Sequence, residues 1–247
     1  MIGLAVLIAS GAAHAQSQDA AQIGSSYPKG HYAELDALPD WGGIWFLNRM
    51  EGATRPASPR LKGEYLAHKE QWGSEVAAHD GIVPRGRSNC SPPGMPRIMR
   101  LAQYPYDFIF SPGRVTVNQE AWMQTRTIWT DGRGHPEDLD PTFMGHSVGY
   151  WEGDTLVVDT LGISEELDID PGYGHSDKLQ IIERIHLEPT APDTLVDEMR
   201  IIDPLALQEP YEVTVTYRRD RSGTLLEFQC SQNDRNPVDE HGETGYL

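Results

Sequence analysis

The sequence predicts an all-β protein, a single antiparallel β-barrel with an N-terminal arm and a short helix. Three observations carry the prediction. From residue 106 onward, alternating apolar and polar runs follow one another at short spacing, punctuated by turn residues. Tyr211, Val213, Val215 and Tyr217 alternate with Glu212, Thr214, Thr216 and Arg218, as a sheet with one wet face requires. Helical spacing is confined to one segment, so eight or more strands joined by short turns favour a closed barrel or a sandwich.

Residues 1–15, MIGLAVLIASGAAHA, form an apolar run ending in Ala13-His14-Ala15, a small-residue cleavage pattern too short to anchor in a bilayer. They read as an export signal. Residues 16–40 are polar, small and irregular and read as a flexible arm, and residues 41–247 read as the barrel domain. The first strand signal is the run from Trp41 to Phe46. A helix is expected over 59–72, where Leu61, Tyr65, Leu66 and Trp72 share a stripe that Gly63 weakens. Residues 81–96, with Pro84, Pro92, Pro93 and Pro96, read as loop. Strands are expected over 106–110, 115–117, 122–130, the hairpin 146–160, 179–187, 194–202, 211–218 and 224–230. The longer polar connections, 131–145 and 162–174, are expected to rim a binding mouth and lead into His146 and His175.

The net charge of -17 and pI near 4.8 argue against nucleic acid, whose phosphates need a basic footprint, and against anionic membrane surfaces. No segment after the first fifteen residues reaches the roughly 20 apolar residues of a membrane-spanning helix. The expected partner is a small molecule. In an oxidising compartment Cys90 and Cys230 are expected to pair, with two unrelated buried thiols as the alternative.

The segment HSVGYWEGDTLVVDT, 146–160, has turn chemistry at Glu152-Gly153-Asp154. Pairing Trp151 with Thr155 puts His146, Val148, Tyr150, Leu156, Val158 and Thr160 on one face. Ser147, Gly149, Trp151, Val157 and Asp159 then share the other, and His146 points inward. Over 175–188, the period of two puts His175, Asp177, Leu179, Ile181, Glu183, Ile185 and Leu187 on one side. Ionisable groups on an apolar face imply pairing, a ligand or chemistry, because burying even a neutral polar group unpaired costs roughly 2 kcal/mol or more.

The Gly-x-Trp at 43–45 resembles the opening of lipocalin-like barrels. Further motifs are CSPPGMPRIM at 90–99, TDGRGHP at 130–136, GHSVGYWEGDTLVVDT at 145–160, GHSDKLQIIERI at 174–185 and EFQCSQND at 227–234. Together they resemble a family of exported bacterial proteins abundant in acidobacteria and sphingomonads. The resemblance covers most of the chain after Asp40 and implies secretion and a lipocalin-like barrel, and it transfers no activity. Where the family pattern has Arg, this chain has Tyr150, a position the resemblance makes a candidate for lining the pocket.

The chemistry must come from the residues. His146 and His175 are the expected acid and base, tuned or replaced by Glu183, since imidazole titrates near neutrality and a buried Glu can be raised toward that range. His135, Asp177 and Tyr150 are expected at the substrate. Glu183 has a second reading as the buried partner of Arg126, which shares strand parity with Trp122 and Ile128. Arg126 would otherwise hold an anionic or carbonyl oxygen. His135, His146 and His175 with Glu183 or Asp177 could instead form a metal shell, so a metal ion is the one cofactor entertained. Ser147 or Ser176 could join a histidine and Asp159 or Asp177 in a triad, but neither serine lies in a Gly-x-Ser-x-Gly elbow. Asp159 reads as a loop organiser, and Glu165, Glu166, Asp168 and Asp170 as a solvated rim. Two functions follow: an exported lyase, isomerase or hydratase acting on a largely apolar, oxygenated ligand without an organic cofactor, or a barrel that binds such a ligand without turnover.

Overall fold

The computed structural model describes residues 35–48, 57–81 and 90–230. The chain divides into two units, Met1–Ala37 and Leu38–Leu247. The expected signal segment and residues 16–34 of the expected arm lie outside the described residues.

The second unit is a closed nine-stranded barrel. Its first strand is β1 (Ile44–Leu47), and a meander follows of β2 (Tyr106–Ser111), β3 (Arg114–Gln119) and β4 (Gln124–Trp129). The hairpin is β5 (His146–Glu152) and β6 (Thr155–Leu161), and a small outlying hairpin is β7 (Asp168–Asp170) and β8 (Tyr173–Gly174). A second meander, β9 (Gln180–Glu188), β10 (Ala191–Ile202) and β11 (Tyr211–Asp220), returns to β1. The all-β barrel is thus as expected from the alternation.

One seam departs from the antiparallel expectation. β4 and β5 run parallel, pairing Ile128 with Ser147 and Trp129 with Val148. The cause is arithmetic, because nine strands cannot alternate direction all the way round a closed ring. Parallel neighbours need a crossover of a dozen or more residues. Residues 130–145 are that crossover, and near its end Thr142 bridges to Ile163.

The hairpin register also differs by one residue from the expected one. Glu152 pairs with Thr155 and Trp151 with Leu156, leaving a two-residue loop. Gly153 opens it at φ +60°, where a type II′ turn puts glycine. A one-residue slip exchanges the faces of one strand relative to the other. Ser147, Gly149 and Trp151 therefore face inward with Thr160, Val158 and Leu156, while His146, Val148 and Tyr150 face outward with Leu161, Asp159 and Val157.

Burial of apolar side chains holds the wall together. Ile181 and Ile185 of β9, Leu195, Met199 and Ile201 of β10 and Val213 and Tyr217 of β11 alternate inward and are buried. Trp41, Phe108, Phe110 and Trp151 form an aromatic group with ring centroids 5.3–5.5 Å apart. The helix, α1, spans Gly63–Ala78 rather than 59–72. Its expected first turn is instead extended, with Leu61 bridged to Leu207 and Arg60 and Lys62 bonded to the backbone of the β10–β11 connection. The helix leans on the β7–β8 hairpin, where Lys69 Nζ donates to Pro171 O at 3.0 Å and sits 4.1 Å from the Tyr173 ring centroid.

The expected strand at 224–230 is a tail without ladder bonds. Phe228 packs edge-on to Tyr104 at 5.6 Å, and Leu226 N donates to Glu120. Cys230 forms the expected disulfide with Cys90 across a separation of 140 residues. No helix among the described residues is long and apolar enough to cross a membrane.

Candidate functional site

Three inward polar residues, Ser147, Thr160 and Glu183, converge on Arg126. Its Nη1 donates to Glu183 Oε1 at 2.8 Å, Nη2 reaches Glu183 Oε2, Nε donates to Ser147 Oγ at 3.1 Å, and Nη2 also donates to Thr160 Oγ1 at 2.9 Å. All four residues are buried, and the two hydroxyls also bond to each other at 2.8 Å. Parity puts them there: Arg126 faces Val117, and Glu183 sits between Val158 and Met199. Burial opposes the charge on Arg126, but the adjacent Glu183 more than compensates and holds its pKa above the ordinary arginine value. Of the two readings of Glu183, partner of Arg126 is the one the geometry carries. Arg126 in turn has its fork filled, so it is not the open oxygen binder expected of it.

Asp197 is the interior carboxyl that sequence reasoning missed. It is fully buried on β10, opposite Ile185 and Val215, and neither oxygen has a hydrogen-bond partner among the described residues. Burial pushes its pKa well above the carboxylate range, and the nearby Glu183 charge adds to the rise. The signal was available, since Leu195, Asp197, Met199 and Ile201 share a face just as Ile181, Glu183 and Ile185 do.

His175 is buried but meets neither of the other two histidines. Its Nδ1 lies 2.9 Å from Ser176 O, and its Nε2 has no hydrogen-bond partner among the described residues. Ser176 is committed to Asp203 through N at 2.7 Å and Oγ at 2.8 Å, and Asp203 also accepts from the amides of Leu205 and Ala206. That is loop closure rather than a triad. Asp177 points to solvent and pairs with Lys178, because it lies in the loop ahead of β9, where strand parity does not yet apply. Tyr150, outward on β5, is 56% exposed and donates to Glu152 rather than lining an interior pocket.

His135 and His146 do come together, on the outside of the barrel. The crossover lays His135 over the outward faces of β5 and β6, and the two Nδ1 atoms are 2.9 Å apart. His135 Nε2 is buried and faces Asp159 Oδ2 at 3.7 Å, an ion-pair distance too long for a hydrogen bond. Asp159 is itself oriented by Gln180, whose Nε2 donates to Oδ1 at 2.9 Å. Asp159 and Gln180 were not expected here, because the register error had turned Asp159 and His146 to opposite faces.

This chain of groups limits the tautomers the two rings can adopt together. Only one proton fits between two nitrogens 2.9 Å apart. If His146 Nδ1 carries it, neutral His135 keeps its proton on Nε2, toward Asp159, and His146 Nε2 is left with a lone pair. No hydrogen bond among the described residues uses that Nε2. Burial lowers the pKa of His146 below the ordinary 6.5, and the neighbouring His135 and Arg133 lower it further, so the neutral base form holds at pH 7. Among the described residues no three His, Cys, Asp or Glu side chains stand close enough to hold a metal ion, and the three-histidine shell is not assembled. Compared with known proteins, the chain matches no family model and no curated protein sequence.

Proposed function

We propose that the protein is an exported small-molecule enzyme of the lyase, isomerase or hydratase kind, and that its proton-transfer centre is the His146–His135–Asp159 relay on the outer wall. The observation that carries this reading is the 2.9 Å contact between the two imidazoles with a carboxylate behind them. His146 Nε2 takes a proton from the substrate, and the Nδ1 proton of His146 moves to His135 Nδ1. The positive charge then rests on His135, beside Asp159. Each transfer frees the nitrogen needed to reverse it, so the same pair returns the proton as an acid. The disulfide, the apolar opening run and the family resemblance support export.

A panel of carbon acids tests the relay without a named substrate. Wild-type protein and His146→Gln are incubated in deuterium oxide with small ketones, esters and oxoacids, and deuterium uptake at carbon is followed by proton NMR. Wild type is expected to accelerate exchange on at least one compound, with a loss of roughly 100-fold or more in the variant. Exchange that is absent throughout, or unchanged in His146→Gln, would leave the ligand-binding function instead.

A further inference from the structure

We infer that Arg133 is the substrate-recognition residue of this outer site and that it selects small molecules bearing a carboxylate. The inference rests on the relay reading for its chemistry, while its geometry is independent of it.

Arg133 lies two residues before His135 on the crossover and stacks its guanidinium 3.7 Å from the Trp129 ring centroid. Trp129 pairs with Val148, which shares the outward face of β5 with His146. The stack therefore places a cation on the same wall as the base, in agreement with the electrostatic influence of Arg133 on His146.

The guanidinium is held rather than loose. Asp131 accepts from Nε through Oδ1 at 2.9 Å and Oδ2 at 3.0 Å, from Nη2 at 2.6 Å, and from the Arg133 amide at 3.2 Å. Asp131 is seated in turn against the β2–β3 turn. Thr130 N donates to Gly113 O at 2.8 Å, and a Cβ on Gly113, at φ +72°, would lie 2.9 Å from Asp131 Cβ. Asp131 occupies one edge of the fork, and no bond among the described residues uses Nη1. The end of the guanidinium, with one N–H from each Nη, matches the two oxygens of a carboxylate. An end-on fork oriented by Asp131, on the wall that carries a neutral imidazole, suits a carbon acid whose anionic group is gripped while a proton is removed. The interior offers no such fork, because both Nη atoms of Arg126 already reach Glu183 and its Nε donates to Ser147.

The experiment uses the full disulfide-bonded chain and a matched pair of probes, acetoacetate and its neutral methyl ester. Each is titrated while the Arg133 Nε–H resonance is followed by NMR. Acetoacetate should give a saturable shift, and the ester should bind roughly tenfold more weakly or worse. Binding of acetoacetate, followed by ligand-observed saturation transfer, should vanish in Arg133→Gln and persist in His146→Gln. Equal binding of acid and ester, wild-type binding by Arg133→Gln, or no saturable shift would overturn the inference. Acetoacetate that binds through Arg133 while no compound in the exchange panel responds to His146→Gln would sustain the anion site and remove the relay reading. The reverse pattern would do the opposite.

Discussion

The interior Arg126–Glu183 cluster and the outer His146–His135–Asp159 cluster each set an acidic group against a basic one, and they differ in what they leave unused. Inside, Arg126 and Glu183 are 3% and 0% exposed, and Ser147 and Thr160 take the remaining contacts of the guanidinium. Outside, His135, His146 and Asp159 form an incomplete chain that ends, among the described residues, in a His146 nitrogen with no hydrogen bond. A cluster whose opposite charges are buried against each other specifies structure. One that ends in an unoccupied lone pair at a half-buried position can act on a ligand.

The sharpest way to break the comparison is to open the interior. Arg126→Met leaves Glu183 buried without its counter-charge and should cost about 3 to 5 kcal/mol in urea denaturation. Adding Glu183→Leu should recover most of that loss, since a well-packed apolar pair avoids the desolvation cost. A small loss from the single variant would mean that the pair is not the closed structural unit described.

The outer cluster should answer in the opposite way. His146→Gln is expected to lower proton exchange by roughly 100-fold, while unfolding free energy changes by only about 1 kcal/mol, because the ring is half-buried and has one partner. The pH profile for proton abstraction should rise through a pKa below 6.5 and level off by neutrality, following the lowered pKa of His146. The depressed folded pKa also means that the stability His146 contributes is complete above 6.5 and is lost as pH falls through the folded value. A variant that unfolds along with losing activity would place the histidines in the same structural role as the interior pair.

Asp197 gives the most specific contrast. Its folded pKa is raised above 3.8, so its folded state holds the proton more tightly than the unfolded chain. Its contribution to stability is therefore greatest below 3.8 and falls as pH climbs toward the folded pKa, at about 1.4 kcal/mol per pH unit for one group. Asp197→Asn should flatten that slope and gain on wild type as pH rises above about 4, read from urea midpoints at several pH values. An unchanged slope would mean that Asp197 is not held neutral.

Much of the wall was legible because parity in β9 and β11 needs no partner strand: every inward residue from Ile181 to Ile185 and from Tyr211 to Tyr217 follows from period two alone. The hairpin was harder. Glu152-Gly153-Asp154 suits loops of two or three residues, and that choice turns His146 and Asp159 from opposite faces to the same one. The contact of His135 with His146 was not derivable at all, since it depends on the parallel seam, and the seam depends on the total strand count being odd. The two histidines were found by residue type and loop position, and their site was then placed on the wrong side of the wall.

The most direct test of the relay is the protonation of the two imidazoles, read from long-range proton–nitrogen correlations of ¹⁵N-histidine-labelled protein across a pH titration. The account predicts that at neutral pH His146 carries its proton on Nδ1 with Nε2 bare, that His135 carries its proton on Nε2, and that His146 titrates below 6.5. A His146 ring protonated on Nε2 at neutral pH, or one titrating at or above 6.5, would contradict it.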